Sequence, residues 1–369
     1  MNPSRRRALR RFTAAPGLAV PAMQVGAAPR PWPAWEAFAQ NFIGNGGRVV
    51  ENADARQRTV SEAQGYALFF ALVANQPERF ERLLRWTEDN LAGGDLTQRL
   101  PAWWWGRRDD GSWGVLDDNA ACDADLWIAQ ALGEAGRLWG VRRYTVLAAV
   151  LAERVRREEV AELPGLGPML LPGPRGFVPS PGRWRLNPSY LPPMQLRWLA
   201  TRLGPPWQAM HDSALRVLRH SAPRGLAPDW TIYDVATQRF EPHQQGFGSY
   251  DAIRVYLWLG LSQVPPALLA HFAPMGDATD SAGAPPEKID MNGARPGDGP
   301  PGFSAALLPF LKALGRGDTL RRQHQRVAAK PPGPDAYFDQ VLRLFGEGAV
   351  EGRYRFDAAG QVVPEWAGR

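Results

Sequence analysis

Apolar residues recur at helical spacing along most of the chain, in segments separated by polar or Gly/Pro-rich breaks. Trp32, Trp35, Phe38 and Phe42 predict a first amphipathic helix over residues 31–43, ended by the glycines at 44, 46 and 47. Residues 48–59 are polar and read as a loop. Tyr66, Phe69, Phe70 and Val73 form the next helical stripe. Ile128, Ala131, Leu132, Ala135, Leu138 and Trp139 form another. The same reasoning predicts helices over 80–91, 144–159, 194–203, 207–221, 303–314, 319–328 and 337–346, and one beginning at about 249–251. Between them lie a Trp-rich loop at 100–113, a Pro/Gly-rich stretch at 163–186 with strand-like pieces at 169–171 and 176–178, and a long loop at 273–302. Residues 354–356 and 361–364 read as a terminal hairpin. About ten to twelve helices, with no βαβ rhythm, predict an all-α fold of paired helices around one core. An α/α toroid, with an inner ring of helices inside an outer one, fits that pattern.

Composition sharpens this picture. The chain has 369 residues, 44% hydrophobic, enough for a sizeable core; 38 Gly and 35 Pro call for many turns. A single cysteine, Cys122, excludes an intrachain disulfide and a Cys-rich metal site. The formal charge of +6 misleads, because residues 1–28 hold five arginines and no acid. The other basic residues are scattered, which gives no electrostatic case for nucleic acid. Residues 1–28 themselves read as an export segment: a basic start ending in Arg10-Arg11-Phe12-Thr13, an apolar stretch, then Gly26-Ala27-Ala28. The Arg10-Arg11 pair suggests twin-arginine export; a disordered Arg-rich tail is the alternative. Residues 29–369 would then be one catalytic domain, periplasmic or secreted. No other stretch has the apolar length of a bilayer span.

The chemistry concentrates where acids meet indoles. Asp117, Asp118, Asp123 and Asp125 crowd into nine residues at a helix entrance, where free N–H groups and the helix dipole favour negative charge. Capping and solvation account for one or two of them. They do not account for Trp103, Trp104, Trp105 and Trp113 just upstream. Indoles stack on sugar C–H faces and carboxylates bind hydroxyls, so the pairing points to carbohydrate. A hard cation is the rival reading, but the spacing matches neither a calcium loop nor a diphosphate-binding aspartate motif. The five histidines form no paired ligand motif, so no cofactor is expected. Glu62 lies four residues before Tyr66, on the inward face of a first helical turn. There a carboxyl is partly desolvated and suited to general acid work; a capping Glu, with Ser61 or Thr59 as the cap residue, is equally compatible. Asp251 lies three residues before Arg254, within ion-pair reach, which would keep it ionised as a general base requires; an ordinary surface pair is the simpler reading. Asp229-Trp230 is one more acid–indole pair.

Three segments together carry a family resemblance. Ala121-Cys122-Asp123-Ala124-Asp125-Leu126-Trp127-Ile128-Ala129 closely resembles the signature of glycoside hydrolase family 8, with Cys122 where that family usually has Ser or Thr. Ser61-Glu62-Ala63-Gln64-Gly65-Tyr66 resembles its catalytic-acid segment, and Gly248-Ser249-Tyr250-Asp251-Ala252-Ile253-Arg254 its catalytic-base segment. Asn187-Pro188-Ser189-Tyr190-Leu191-Pro192-Pro193 and Gly302-Phe303-Ser304-Ala305-Ala306 are similar to the branch associated with bacterial cellulose synthesis. The resemblance spans residues 32–366. It implies an (α/α)6 barrel and inverting endo-hydrolysis of a β-1,4-glucan chain, in the setting of the cellulose synthase complex. It makes Glu62 the acid, Asp251 the base and Asp123 the group holding the distorted sugar. Trp105, Trp184, Tyr190 and Tyr250 become candidates for stacking and positioning, with core packing as the rival for each Trp. Arg254 would orient Asp251. A glucan-binding accessory with little turnover, or a chitosanase, xylanase or lichenase of the same family, are the competing expectations.

Overall fold

The computed structural model describes residues 30–51, 56–243 and 246–367. The expected export segment lies outside the described residues. Thirteen α-helices carry the described chain: α1 (Pro33–Phe42), α2 (Ser61–Val73), α3 (Pro77–Leu91), α4 (Cys122–Trp139), α5 (Arg142–Glu158), α6 (Pro193–Leu203), α7 (Pro205–Ser221), α8 (Ala252–Leu261), α9 (Pro266–His271), α10 (Ala273–Ala282), α11 (Pro301–Ala313), α12 (Gly317–Ala329) and α13 (Tyr337–Val350).

Hydrophobicity sorts these helices into two rings. On α2 every residue but Glu62 is buried, and α4, α8 and α11 are apolar nearly all round. Such helices have no face to offer water and must lie inside. In contrast α3, α5 and α12 have an apolar stripe and a polar, Arg-rich back, so each covers an inner neighbour. The inner helices α2, α4, α6, α8, α11 and α13 pack in that order. Outside them α3 lies on α2, α5 on α4, α7 on α6, α12 on α11 and α1 on α13, with α10 beside α12. Six inner and six outer helices make the (α/α)6 barrel, with α9 as an extra turn. Its axis is filled by rings. Phe345 of α13 meets Tyr66, Phe69 and Phe70 of α2 at 5.3, 5.5 and 4.6 Å. It also meets Trp127 of α4 at 5.0 Å and Trp258 of α8 at 5.2 Å. Tilted and edge-on packing of this kind adds to the burial of large apolar surfaces. Helix α11 approaches its neighbours so closely that a Cβ at Gly260 or Gly346 would collide with the backbone of Phe310 or Ala305.

The connections differ from expectation in places. The Trp-rich stretch is a hairpin, not a loop: Trp104–Arg107 pairs with Trp113–Asp117, and Thr59–Val60 adds a third strand. A run of adjacent indoles hides the alternation by which a strand is recognised. The piece at 169–171 belongs to a real strand, Gly167–Leu170 paired with Val160–Leu163. The piece at 176–178 does not; the neighbouring sheet is Arg183–Leu186, Thr231–Asp234 and Arg239–Pro242. The long loop expected from 273 contains α10, whose Gly, Asp and Thr residues mask its period. The terminal hairpin forms between Tyr354–Phe356 and Val362–Pro364.

Phe345 is fully buried at the ring closure. Phe345→Ala should destabilise the fold by about 3–5 kcal/mol, read from denaturant midpoints. A loss below about 1 kcal/mol would contradict this account of the core.

Candidate active site

Inner helices of a barrel run parallel, so their N-terminal ends gather at one mouth. Glu62 is the second residue of α2 and Asp123 the second of α4, while Asp251 is the N-cap of α8. The mouth encloses a cavity of about 510 Å3 lined by residues of α2, α8 and α13 and of the segments leading into them, among them Glu62, Tyr66, Tyr250, Asp251, Arg254, Tyr337 and Phe338. Residues 62 and 251, far apart in the chain, therefore face the same space.

Helix caps differ from the sequence reading. Neither Ser61 nor Thr59 caps α2; Thr59 donates instead to the Val49 carbonyl at 2.6 Å. Ser249 does not cap α8 with its hydroxyl, which donates to the Glu287 carbonyl at 2.6 Å. Asp229 takes that role from a distant loop, accepting the N–H groups of Ser249 at 2.7 Å and Ala252 at 2.8 Å. The turn carrying Asp251 is thus held from outside its own helix.

Arg254 is the hub of the site. Its guanidinium is buried and donates to Asp251 Oδ1 at 2.5 Å, Asp123 Oδ2 at 3.1 Å and the Tyr66 hydroxyl at 3.2 Å. It also lies over the Tyr190 ring, 5.4 Å from its centre. A planar fork with several donors can hold two carboxylates at once. Asp123 is 2% exposed, and its Oδ1 has no protein donor. Burial raises its pKa to about 6 against the opposing pull of Arg254. Glu62 is half-buried, with Trp103 Nε1 and Ser61 Oγ each donating to it at 3.3 Å. Its pKa is raised to about 8, first by burial and then by the Asp123 charge. Glu62 therefore keeps its proton at neutral pH.

The aromatic candidates divide. Tyr250 lines the cavity, is 47% exposed and donates to Glu287 Oε1 at 2.9 Å. Tyr190 sits beneath Arg254. Trp105 does not border the cavity: it packs on Trp113 at 5.3 Å and Trp86 at 5.3 Å, with the Arg48 guanidinium 4.3 Å over its ring. In the strand register it pairs with Thr59, which does not border the cavity either. Trp184 lies opposite Tyr233 in a sheet whose inner face packs on the core, and does not border the cavity either. Trp103, from the same indole run, is the member that bonds Glu62, and the run itself offers no means of ranking its members. Tyr66, Tyr337 and Phe338 were read as helix stripe or not singled out. Trp230 lines a neighbouring hollow of about 390 Å3 with Arg185, Asp229, His243 and Phe247, and its ring lies 6.0 Å from Tyr190. The four clustered aspartates separate: Asp117 accepts from the Asn119 N–H, Asp118 pairs with Arg175 at 2.5 Å, and Asp125 is buried. Among the described residues no group of Cys, His, Asp and Glu is arranged to hold a metal ion.

Acids, a bridging arginine and aromatic rings at one mouth of an α/α barrel define a site for a sugar polymer. The profile of the glycosyl hydrolases family 8 matches residues 12–352, and the chain belongs to that family. It is 48% identical to an endoglucanase of Salmonella typhi, over 91% of each chain, and 49% identical to one of Xanthomonas axonopodis pv. citri, over 91% of this chain and 90% of that one. Its fold matches the crystal structure of an endo-1,4-D-glucanase from Vibrio fischeri with a TM-score of 0.86 and 41% identity, covering 91% of this chain and 99% of that one.

Arg254→Lys replaces the fork by a point charge that cannot bridge both aspartates, and should lower kcat/KM more than tenfold. Arg254→Met strands Asp123 and should also cost about 3–5 kcal/mol of stability. Wild-type kinetics in the lysine variant would show that the bridge is dispensable.

Proposed function

We propose that the protein is an inverting endo-β-1,4-glucanase in which Glu62 is the general acid and Asp251 the general base. The observation that carries this reading is the pairing of opposite environments in one cavity. Glu62 is held protonated by burial and by the nearby Asp123 charge, and Asp251 is bonded to a guanidinium. Two carboxyls in unlike environments are the usual means of dividing acid from base work. Glu62 would give its proton to the glycosidic oxygen of the leaving chain. Asp251 would take a proton from the water that attacks the anomeric carbon on the other face of the sugar. Inverting pairs stand roughly 6.5–9.5 Å apart to admit that water. Asp123, locked to Arg254 through one oxygen, keeps its other oxygen for a hydroxyl of the sugar at the cleavage point.

Tyr250, which lines the cavity, and Trp103, which bonds Glu62, are exposed rings suited to stacking on flanking sugars. The relatives named endoglucanase, and the resemblance to the branch tied to cellulose synthesis, support β-1,4-glucan as substrate over chitosan, xylan or mixed-linkage glucan. An exported enzyme acting beside the synthase is the setting this reading implies. The presence of all three acids favours turnover over mere glucan binding.

Glu62→Gln and Asp251→Asn should each lower hydrolysis of carboxymethyl-cellulose by at least about a thousandfold, with the folded circular-dichroism spectrum retained. Near-normal activity in either variant overturns the assignment. In the wild type, kcat/KM should fall as pH rises through about 8, where Glu62 loses the proton it must donate. A rate unchanged to pH 10 would contradict a general acid of that pKa.

A further inference from the structure

Behind the cleft, the first turn of α4 is buttressed by acids that take no part in the chemistry above. Helices α4 and α5 form an antiparallel hairpin, so the end of α5 returns to the start of α4. Glu159, which ends α5, is fixed there by its backbone. Its N–H donates to the Val155 carbonyl at 2.9 Å, and its carbonyl accepts from Leu171 at 2.7 Å. The next residue, Pro172, accepts the N–H of Cys122, the first residue of α4, at 3.1 Å. Asp125 projects from that turn, two residues beyond Asp123. Asp125 and Glu159 are both 0% exposed, and their carboxyls act on each other across the junction of α4 and α5. Among the described residues, no N–H or O–H of another residue reaches any of their four carboxyl oxygens.

The strongest charges around the pair are of like sign. The groups acting most strongly on the pair are Asp123 on α4, Glu62 on α2 and Glu158 on α5, all acids. Arg154, on α5, is taken up by Glu158 at 2.6 Å and the Thr97 carbonyl at 2.5 Å. The buried Cys122 thiol stays protonated, its pKa raised by burial and then by the Glu159 charge, and is only a weak donor. Two carboxylates in contact cannot both ionise under these conditions, whereas one proton between them satisfies an oxygen of each.

We propose that Asp125 and Glu159 share a single proton, and that this O–H···O⁻ link fixes the first turn of α4 and so positions Asp123 for Arg254 and the sugar. The pair carries one proton and a net charge of −1. Its role as a positioning device rests on the reading of Asp123 given above; the shared proton does not. Burial and the neighbouring acids hold the pair's proton well above the usual carboxylate range. The folded protein thus holds a proton that the unfolded chain has lost. Stability from this source is complete below the ordinary carboxylate pKa and is lost as pH rises through the folded-state value.

The test uses the full-length protein, wild type and Glu159→Gln, whose amide supplies a permanent donor to Asp125. Denaturant unfolding is measured from pH 5 to 8. Glu62 and Asp123 contribute to both proteins, so the difference between them isolates the pair. The wild-type unfolding constant should rise with pH about tenfold per unit more steeply than that of Glu159→Gln, the signature of one extra proton bound on folding. If Glu159→Gln does not fold, Asp125→Asn places the donor on the other member and carries the same comparison. Parallel pH dependences overturn the shared proton, as does failure of both amide variants to fold. Positioning is read separately at pH 6: Glu159→Ala should lower kcat more than tenfold with KM within about twofold, and Glu159→Gln should restore at least half of it. A steep pH difference with unaltered kcat in Glu159→Ala would leave the shared proton standing and overturn the positioning role.

Discussion

The site depends on one cation. Arg254 is buried at the barrel mouth and is shared by two carboxylates from different inner helices. Acids brought together at a low-dielectric mouth repel one another, and each loses hydration. The guanidinium offsets both penalties for Asp123 and Asp251 while fixing where they point. Glu62 is left outside that arrangement. It accepts hydrogen bonds from an indole N–H and a serine hydroxyl, and its charge is opposed by Asp123. The different surroundings of Glu62 and Asp251 thus follow from which of them the arginine bonds.

The barrel makes that geometry possible. Inner helices apolar on all sides can only stand together, and parallel packing gathers their N-terminal ends at one rim. Helix N-termini favour anions, so acids are tolerated there at lower cost than elsewhere in a core. The ring closure around Phe345 sets the spacing of α2, α4 and α8, and hence the separation of the three acids they carry. Loops then add what helices cannot: Asp229 anchors the turn bearing Asp251, and the indole hairpin brings Trp103 over Glu62.

Much of this was legible in the sequence. Helix positions followed from period, because an inner helix such as α2 and an outer one such as α3 both repeat apolar residues at helical spacing. Acids at helix entrances followed from the same pattern. Arg254 was legible as a partner for Asp251 by its spacing of three; its bond to Asp123 was not, since contact between α4 and α8 is a property of the closed ring. Which indoles face the cavity was not legible, because an indole has the same local signature on either face of a strand. Helix α10 was missed because its Gly, Asp and Thr content imitates a loop.

The account stands or falls on two carboxyls working from opposite faces of one sugar. Proton NMR of the first product released from a soluble cello-oligosaccharide reads this directly. Single displacement by water at a β-linkage predicts the α-anomer as the initial product, with the β-anomer growing in only by mutarotation. An initial β-anomer would contradict the assignment of Asp251 as a base acting through water.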